Sequence, residues 1–496
     1  MGDLSSAFIY LVQPWPLFLV CLGTALGIIV GAIPGLTGAM LIALALPMTF
    51  AMSGVDAMVL LVSMYVGSIS GGLISATILR MPGTPASMMT TFDGYPLARS
   101  GQPGRALGLG ISASFIGGLV SWIFLVTLSR PMADLSTRLG PFEYFSLVLV
   151  ALVLITAVSD GSLMRGLLSG CLGLLAAMPG ASPATGQLRW TFGLSELNDG
   201  LKLLPVLIGL FAVSQVIHDI VYLDQQAQRI KVVSKGMFLR LADWKAQAVN
   251  LIRSSLIGTW VGILPGIGAN IGSVMAYSAA KNMSKTPEKF GHGSEEGIVA
   301  SEAANNATVG GALIPLIAMG IPGSVIDAIL LGALVIHGLT PGPLLFEHNP
   351  EVIYTMMAAV FLANGFMFLF MVFSAGWLSR LADVPRWLLL PAVLVFCVVG
   401  SYALANRMFD VGVMLAFGVI GFALERMKIP LAPFVIGFVL APLAEANLGA
   451  GLMASGGSFW PLATRPLSLM LCLLSLLLLL WPIFQRARQK WMPRTA

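Results

Sequence analysis

The chain has 496 residues, of which 57% are hydrophobic and only 10% are charged. Soluble domains carry about 25% charged residues, so this composition excludes an ordinary soluble protein and predicts one that crosses a membrane many times. The net charge of +5 is small for this length. Because most basic residues lie in short loops, they indicate membrane topology rather than binding to nucleic acid.

The cysteines and histidines lack the spacing of a metal or redox site. Each cysteine lies alone in an apolar run, and none forms a CxxC pair: Cys21, Cys171, Cys397 and Cys472. The four histidines form no HxxxH or HExxH pattern. We therefore expect isolated thiols in the membrane and no metal or organic cofactor.

Apolar runs predict an all-α polytopic membrane protein with about 10–12 transmembrane helices. The first runs are 9–33, 40–51, 58–79, 106–128, 142–158, 163–178 and 203–223, of which 40–51 is long enough only for half a helix. The later runs are 256–261, 273–280, 301–342, 353–373, 387–399, 411–424, 429–443 and 467–484. Segment 80–103 is polar and turn-rich.

Basic residues divide the chain and orient it. Residues 224–253 form the one long hydrophilic connection, and the positive-inside rule places it and the basic C-terminal tail in the cytoplasm. The N-terminus lacks Lys and Arg, so we expect it outside, with its first apolar run retained as a span. The predicted parts are a first transmembrane repeat at 1–223, a cytoplasmic linker at 224–253, a second repeat at 254–461, and an extra helix with a basic tail at 462–496.

Three Pro-Gly motifs recur in the same order in the two halves. The motif pairs are GAIPG (31–35) with GILPG (262–266), MPGT (81–84) with IPGS (321–324), and QPG (102–104) with TPG (340–342). Pro and Gly that interrupt apolar segments at matching places predict two inverted repeats with broken helices, as in a secondary transporter. Free N–H groups and the positive dipole end of such a half-helix attract an anion.

At these motifs the sequence resembles the TctA family, the large membrane subunit of tripartite tricarboxylate transporters. The matching segments are GAIPGLTG, PGTPASMMTTFDGYPLARSGQPGRALG, LLPVLIGLFAVSQ, GILPGIGA, EEGIVASEAANNATVGGALIPLIAMGIPG and GALVIHGLTPGPLLF, spread from about Gly31 to Phe346. The resemblance implies a bacterial inner-membrane protein with two partners, a small TctB-like membrane subunit and a TctC-like periplasmic solute-binding protein. It also implies uptake of an organic carboxylate coupled to an ion, typically sodium, without ATP; the sequence has no GxxxxGK[ST] motif.

Four positions depart from what the resemblance leads us to expect. These are Arg80 in place of Asn, Gln215 in place of Glu, Ser301 in place of Pro, and a charge at Asp327. These departures do not affect the family resemblance, but they leave the identity of the transported carboxylate undetermined. Arg80 adds a fixed cation beside a binding loop, which suits a carboxylate.

The Pro82-Gly83 and Pro322-Gly323 breaks are each followed by hydroxyl side chains, Thr84 and Ser87 in one half and Ser324 in the other. We expect these hydroxyls and the nearby amides to hold substrate carboxylates. The competing interpretation is that Ser or Thr only caps a helix. Recurrence of the pair in both halves favours a binding site.

Other small and polar residues follow the earlier Pro-Gly motifs: Thr37, Gly38, Gly268 and Asn270. Their hydroxyl, carbonyl and amide oxygens are candidate ligands for sodium, a hard cation that prefers oxygen. Close packing between helices is the alternative explanation, since Gly commonly serves that purpose in membranes.

Glu302, Asn305 and Asn306 share one face of a helix because they are spaced i, i+3, i+4. An acid and two amides directed inward can bind the ion or the polar groups of the substrate. The alternative is a network of hydrogen bonds where the helix enters the membrane. Hiding three such groups from lipid is expensive, which favours function.

Among the remaining charges, Asp93 precedes a Gly and is interpreted as a turn residue. Arg99 and Arg105 are interpreted as topology charges rather than substrate ligands. Asp327 lies in an apolar segment just past the second break, where it can be an ion ligand, a proton site or a side chain that reaches the membrane surface.

Together with the broken repeats, the resemblance implies the permease subunit of a carboxylate uptake system that works by alternating access, with sodium as the coupling ion. A proton-coupled transporter of another organic anion is the nearest alternative. An intramembrane enzyme is less favoured, because no Ser/His or metal-ligand constellation lies near the polar segments in sequence.

Overall fold

The computed structural model describes residues 2–33, 36–158, 163–221, 236–265, 268–381, 386–403 and 406–491. The linker residues 222–235, the tail residues 492–496 and parts of two Pro-Gly motifs (34–35 and 266–267) lie outside this set. Helices dominate the described residues, and one antiparallel pair of two-residue strands, β1 (Gly180–Ala181) and β2 (Leu188–Arg189), lies among them.

The helices up to the middle of the chain include four short elements of 3₁₀- or π-helix, one of them the 3₁₀ turn Ser195–Leu197. The α-helices are α1 (Gly2–Leu11), α2 (Pro14–Ala32), α3 (Gly38–Ala45), α4 (Gly54–Leu79), α5 (Met88–Arg99), α6 (Pro103–Ser136), α7 (Pro141–Val158), α8 (Leu163–Ala176), α9 (Leu203–Leu207) and α10 (Ser214–Val221). Turns of 3₁₀-helix lie at Leu46–Ala51 and Pro85–Ser87, and a π-helix joins α9 to α10 at Ile208–Val213.

The later helices again alternate long apolar spans with short segments. They are α11 (Leu241–Ile263), α12 (Gly268–Met283), α13 (Glu295–Met319), α14 (Val325–Ile336), α15 (Leu345–His348), α16 (Pro350–Leu381), α17 (Arg386–Ala403), α18 (Met408–Arg426), α19 (Leu431–Ala454), α20 (Pro461–Thr464) and α21 (Pro466–Trp491). Seven of the described helices are long and apolar enough to cross a membrane, and shorter apolar helices accompany them. The protein is therefore an all-α, multi-pass membrane protein, as predicted.

Three predicted segments differ from the structure. The run 9–33 is two helices, because Pro14 has no N–H to continue α1 and instead occupies the first turn of α2. The polar segment 80–103 contains the helix α5, so the interpretation of Asp93 as a turn residue is wrong. Helix α11 begins at Leu241 and takes up the second part of the predicted linker.

The described residues form two units. The first comprises Met1–Ala133, Leu204–Leu264 and Gly268–Phe422, and the second comprises Asp134–Leu203, Pro265–Ile267 and Ala423–Ala496. Within the second unit, α7, α8, α19 and α21 pack together, and Arg189 forms a bidentate ion pair with Glu445. All of the candidate site residues lie in the first unit, while the predicted repeat boundaries stay a prediction.

Two close helix pairs position the site. Helix α2 packs along α4, and α11 packs along α13. Small residues allow both approaches: a Cβ at Gly23 would lie 2.6 Å from the Leu60 carbonyl oxygen, and one at Gly262 would lie 2.6 Å from that of Thr308. The two halves therefore use the same kind of packing beside their breaks.

Candidate functional site

The two helix breaks are built alike. Arg80, the C-cap of helix α4, adopts the left-handed conformation with φ of 57°, and so does Gly320, the C-cap of α13, with φ of 70°. After each Pro-Gly pair, a hydroxyl residue in extended conformation, Thr84 or Ser324, precedes the next helical turn. Left-handed termination followed by a hydroxyl N-cap ends one helix and starts another within a few residues.

Each break lies against the helix that ends in the earlier Pro-Gly motif of its own half. A Cβ at Gly323 would lie 2.9 Å from the carbonyl oxygen of Gly262 in α11. A Cβ at Gly83 would overlap the carbonyl oxygen of Gly31 in α2. The motifs that recur along the sequence therefore meet in space, and only glycine fits these close backbone approaches.

The hydroxyl groups at the two breaks differ in their hydrogen-bond partners. The Ser87 hydroxyl donates to the Thr84 carbonyl oxygen at 2.9 Å, while the buried Thr84 hydroxyl has no hydrogen-bond partner. Ser324 caps α14 by accepting from the Asp327 N–H at 3.3 Å, and its hydroxyl lies 3.2 Å from that of Tyr65. The cap interpretation thus describes Ser324 and also Ser87, whose hydroxyl accepts from the Thr84 N–H at 3.4 Å, whereas the Thr84 hydroxyl itself has no partner.

Glu302 connects α13 to two neighbouring helices. Its carboxylate accepts hydrogen bonds from the Thr90 hydroxyl in α5 and, at 3.1 Å, from the Ser114 hydroxyl in α6. The side chain is 0% exposed. Buried acids in a membrane are costly, and these two donors offset part of that cost.

The two amides beside Glu302 differ in their contacts. Asn306 accepts a hydrogen bond from the Ser70 hydroxyl in α4 and donates to the Glu302 carbonyl oxygen at 3.2 Å. Asn305 is fully buried, and neither atom of its amide group has a hydrogen-bond partner. A buried amide is rarely left unsatisfied, so Asn305 is available to a ligand or to water.

Asp327 is the third residue of α14 and is 0% exposed. Neither oxygen of its carboxyl group has a hydrogen-bond partner, although the hydroxyls of Ser324 and Tyr65 lie beside it. It does not reach the membrane surface, so that alternative from the sequence is wrong. The ion-ligand and proton-site alternatives stay predictions.

The four candidate sodium ligands lie at the starts of α3 and α12. Thr37 caps α3 by accepting from the Met40 N–H at 3.2 Å, and a Cβ at Gly38 would lie 3.2 Å from Ile326. Gly268 has φ of 70°, and half-buried Asn270 follows it in α12. Within the described residues, no group of three or more His, Cys, Asp or Glu could hold a metal ion.

Arg80 is set apart from the buried polar groups. Its side chain is exposed, and its guanidinium lies over the Tyr95 ring, 5.9 Å from the centroid. Thr84 and Ser87, further along the same break, are buried. The structure thus does not bring Arg80 together with Asn305 or Glu302.

Sequence reasoning missed the role of Asp93, whose buried carboxylate binds a loop about 200 residues further along. It accepts from the N–H groups of Gly291, Gly293 and Ser294 at 2.8–2.9 Å and from the Tyr277 hydroxyl at 2.7 Å. Because Thr90 and Asp93 are one turn apart on α5, this anchor places Thr90 against Glu302. The loop glycines are the one local signal that could have indicated such a contact.

A charged cluster joins the starts of three helices. The Arg105 guanidinium donates to Glu295 at 2.8 Å and to Asp243 at 2.7 Å. The hydrogen bond from Arg105 lowers the pKa of Asp243 to about 2. Arg105, predicted to be a topology charge, thus also connects α6 to α11 and α13.

Comparison with known proteins agrees with this architecture. A family model described as the tripartite tricarboxylate transporter TctA family matches residues 17–436. An uncharacterised 52.8 kDa protein from the TAR-I ttuC' 3' region of Agrobacterium vitis is 33% identical over 470 residues, covering 94% of this chain and 93% of that protein. A second uncharacterised protein, from the TAR-II ttuC' 3' region of the same organism, is 33% identical over 47% of this chain and 96% of its own length. No solved structure matches the chain. The family match extends over most of the sequence and includes both breaks, so the chain belongs to the TctA family of tripartite tricarboxylate transporters.

Proposed function

We propose that this chain is the permease subunit through which a tricarboxylate or related organic carboxylate enters the cell, by alternating access and with sodium as the coupling ion. The observation that carries the proposal is the pair of matched helix breaks, each lying against a glycine-lined helix of its own half. Broken backbone in a membrane protein occurs where protein surrounds it or where it lines a watered cavity. Discontinuous helices at matching places typically form the binding site of a secondary transporter.

Buried polar atoms without hydrogen-bond partners support a polar ligand. The Thr84 hydroxyl and the Asn305 amide are buried without partners, and both can donate a hydrogen bond to a carboxylate. Helices α5 and α14 begin just beyond the breaks, and the positive ends of their dipoles favour an anion. In this proposal, the substrate carboxylates replace the missing partners.

Sodium coupling is proposed from oxygen-rich chemistry at the helix starts. Thr37, Gly38, Gly268 and Asn270 offer hydroxyl, carbonyl and amide oxygens of the kind that a hard cation prefers. Glu302 on α13 offers two further carboxyl oxygens to the ion in this proposal. The proposed partners are a small TctB-like membrane subunit and a TctC-like periplasmic binding protein, in the bacterial inner membrane.

The test is uptake of radiolabelled citrate into proteoliposomes that contain the chain and its small membrane partner, with the binding protein outside. We expect uptake with an inward sodium gradient and little when potassium replaces sodium. Uptake driven equally by a proton gradient alone would favour the proton-coupled alternative. The proposal would be overturned if the binding protein binds carboxylates from a panel but the reconstituted system transports none of them.

A matched pair of variants tests the site itself. Thr84→Val removes a buried, unpartnered hydroxyl at nearly constant volume, whereas Thr127→Val removes an exposed hydroxyl that bonds only to its own helix. A hydrogen bond to a charged group contributes about 1.5–3 kcal/mol, so we expect Thr84→Val to lower apparent affinity at least about tenfold. Equal uptake by both variants would remove Thr84 from the substrate site.

A further inference from the structure

The carboxyl group of Asp327 has no counter-charge among the helices that pack against α14. The helices that pack most extensively against α14 are α3, α4 and α13, and none of them contains Lys, Arg or His. The titratable side chain that faces Asp327 is Tyr65 of α4, while α3 has none. Glu302 of α13 is turned toward Thr90 and Ser114, and the other acids of these helices lie in their first turns.

Two other buried acids, Asp93 and Glu302, show how hydrogen-bond donors can surround a carboxyl group in this protein. Asp93 is equally buried and receives four hydrogen bonds, three of them from backbone N–H groups. Glu302 receives two from hydroxyls. Neither oxygen of Asp327 has a hydrogen-bond partner, while the neighbouring hydroxyls of Tyr65 and Ser324 lie 3.2 Å from each other.

An ionised carboxylate in such surroundings is strongly disfavoured. Removing an isolated charge from water costs far more than the few kcal/mol that the start of a helix returns, so the group becomes neutral by taking up a proton. The oxygens of Asp327 are closed to solvent, and a proton, unlike a hydrated ion, needs no space of its own. The hydroxyl oxygens of Ser324 and Tyr65 can accept the hydrogen bond of the resulting carboxylic acid.

We propose that Asp327 is a proton-binding site that is loaded when the second break is closed and that releases its proton to water when this break opens. The proton forms an O–H bond on the carboxyl group and leaves for a water molecule, so no other reactant is required. The site makes transport responsive to protons in addition to the proposed sodium ion. The transport role rests on the proposed function, whereas proton binding can be measured without it.

Infrared spectroscopy of the purified, intact protein tests proton binding directly. A protonated carboxyl group has a C=O stretching band, separate from the bands of carboxylates, that shifts in deuterated water. We expect this band in the wild-type protein near pH 7, and we expect Asp327→Asn to remove its Asp327 component. Asp93→Asn is the matched control, because that carboxyl group is just as buried but accepts four hydrogen bonds, three of them from backbone N–H groups. Absence of the band from the wild type, or equal loss in both variants, would overturn the proposal.

Uptake measurements test the transport role. At a fixed sodium gradient, an inward proton gradient should increase citrate uptake by the wild type several-fold, and Asp327→Asn should take up citrate at a rate that no longer responds to the proton gradient. A variant with unchanged proton response would refute the role of Asp327 even if citrate uptake is normal. If the wild type transports no carboxylate, the proposed function fails, and the infrared result still decides whether Asp327 binds a proton.

Discussion

Substitution of Gly323 by alanine tests whether the second break must lie close to α11. A Cβ at this position would lie 2.8 Å from Ala312 Cβ and 2.9 Å from both Ala312 Cα and the Gly262 carbonyl oxygen. Carbon atoms in contact are normally about 3.5–4.0 Å apart, so the break has to move away by roughly 0.5–1 Å. Backbone atoms provide two of the three contacts, and a rotamer change cannot relieve them.

The size of the effect follows from two opposing terms. Overpacking of this kind costs about 1–3 kcal/mol. Alanine restricts the unfolded chain and returns about 0.4–1 kcal/mol where its backbone conformation is allowed, and Gly323 is not among the glycines with positive φ. We therefore expect a net loss of about 1–2 kcal/mol in stability, with a larger loss for Gly83→Ala, whose Cβ would overlap the Gly31 carbonyl oxygen.

The assay pairs thermal unfolding in detergent, followed by size exclusion, with citrate uptake in proteoliposomes. Because the break moves, uptake should fall about tenfold or more, a change that corresponds to about 1.4 kcal/mol. Gly365→Ala is the control, since nothing lies within 4 Å of a Cβ there and helix propensity favours alanine by about 1 kcal/mol. If Gly323→Ala matches this control in both stability and uptake, close packing of the break is not required and the reasoning is refuted.

Three further substitutions test the contacts around the site. Asp93→Asn weakens the acceptor for three backbone N–H groups, so stability should fall by about 1.5–3 kcal/mol; an unchanged melting temperature would contradict the anchor role. Thr90→Val leaves one oxygen of Glu302 unpaired and should cost about 1–3 kcal/mol by the same assay, with uptake reduced; a fully stable variant would show that this bond is dispensable. Arg105 lowers the pKa of Asp243 to about 2, so their ion pair contributes its full stabilisation at pH values above about 4, the ordinary carboxyl pKa. This contribution disappears as the pH falls toward 2. Arg105→Gln should therefore lower stability at pH 7, by about 1 kcal/mol or less per partly exposed pair, and the difference from wild type should shrink in acid; a difference that is constant with pH would exclude the ion pair as its cause.

The helical class and the positions of both breaks could be predicted because their signals are local. Long apolar runs require hydrogen bonds within the helix, and Pro-Gly pairs interrupt them at Pro82-Gly83 and Pro322-Gly323. The polar face of α13 was also predictable, because three polar residues at helical spacing in an apolar run have to lie inside. Its predicted role in binding an ion or the substrate stays a prediction.

The partners of these polar groups could not be predicted, because they come from distant segments. The Asp-Gly pair at position 93 favours a turn locally, but four hydrogen bonds from residues 277–294 hold it in a helix. Many helical residues of this chain carry a hydroxyl group. Nothing in the sequence distinguishes the ones that contact polar groups of the site, which are Thr90, Ser114 and Tyr65. Which side of the membrane each half faces is likewise still a prediction from the distribution of basic residues.

The contacts of the two breaks cross between the halves of the chain. The turn Pro85–Ser87 after the first break packs against α12 of the second half, and α14 after the second break packs against α3 of the first half. Thus the start of α3, where Thr37 and Gly38 lie, cannot move without disturbing the helix that carries Asp327. If an ion binds at the start of α3 or α12, it changes the break of the opposite half through direct packing. In the proposed function, coupling between ion and carboxylate therefore requires no long pathway, because each half packs directly against the segment that follows the break of the other half.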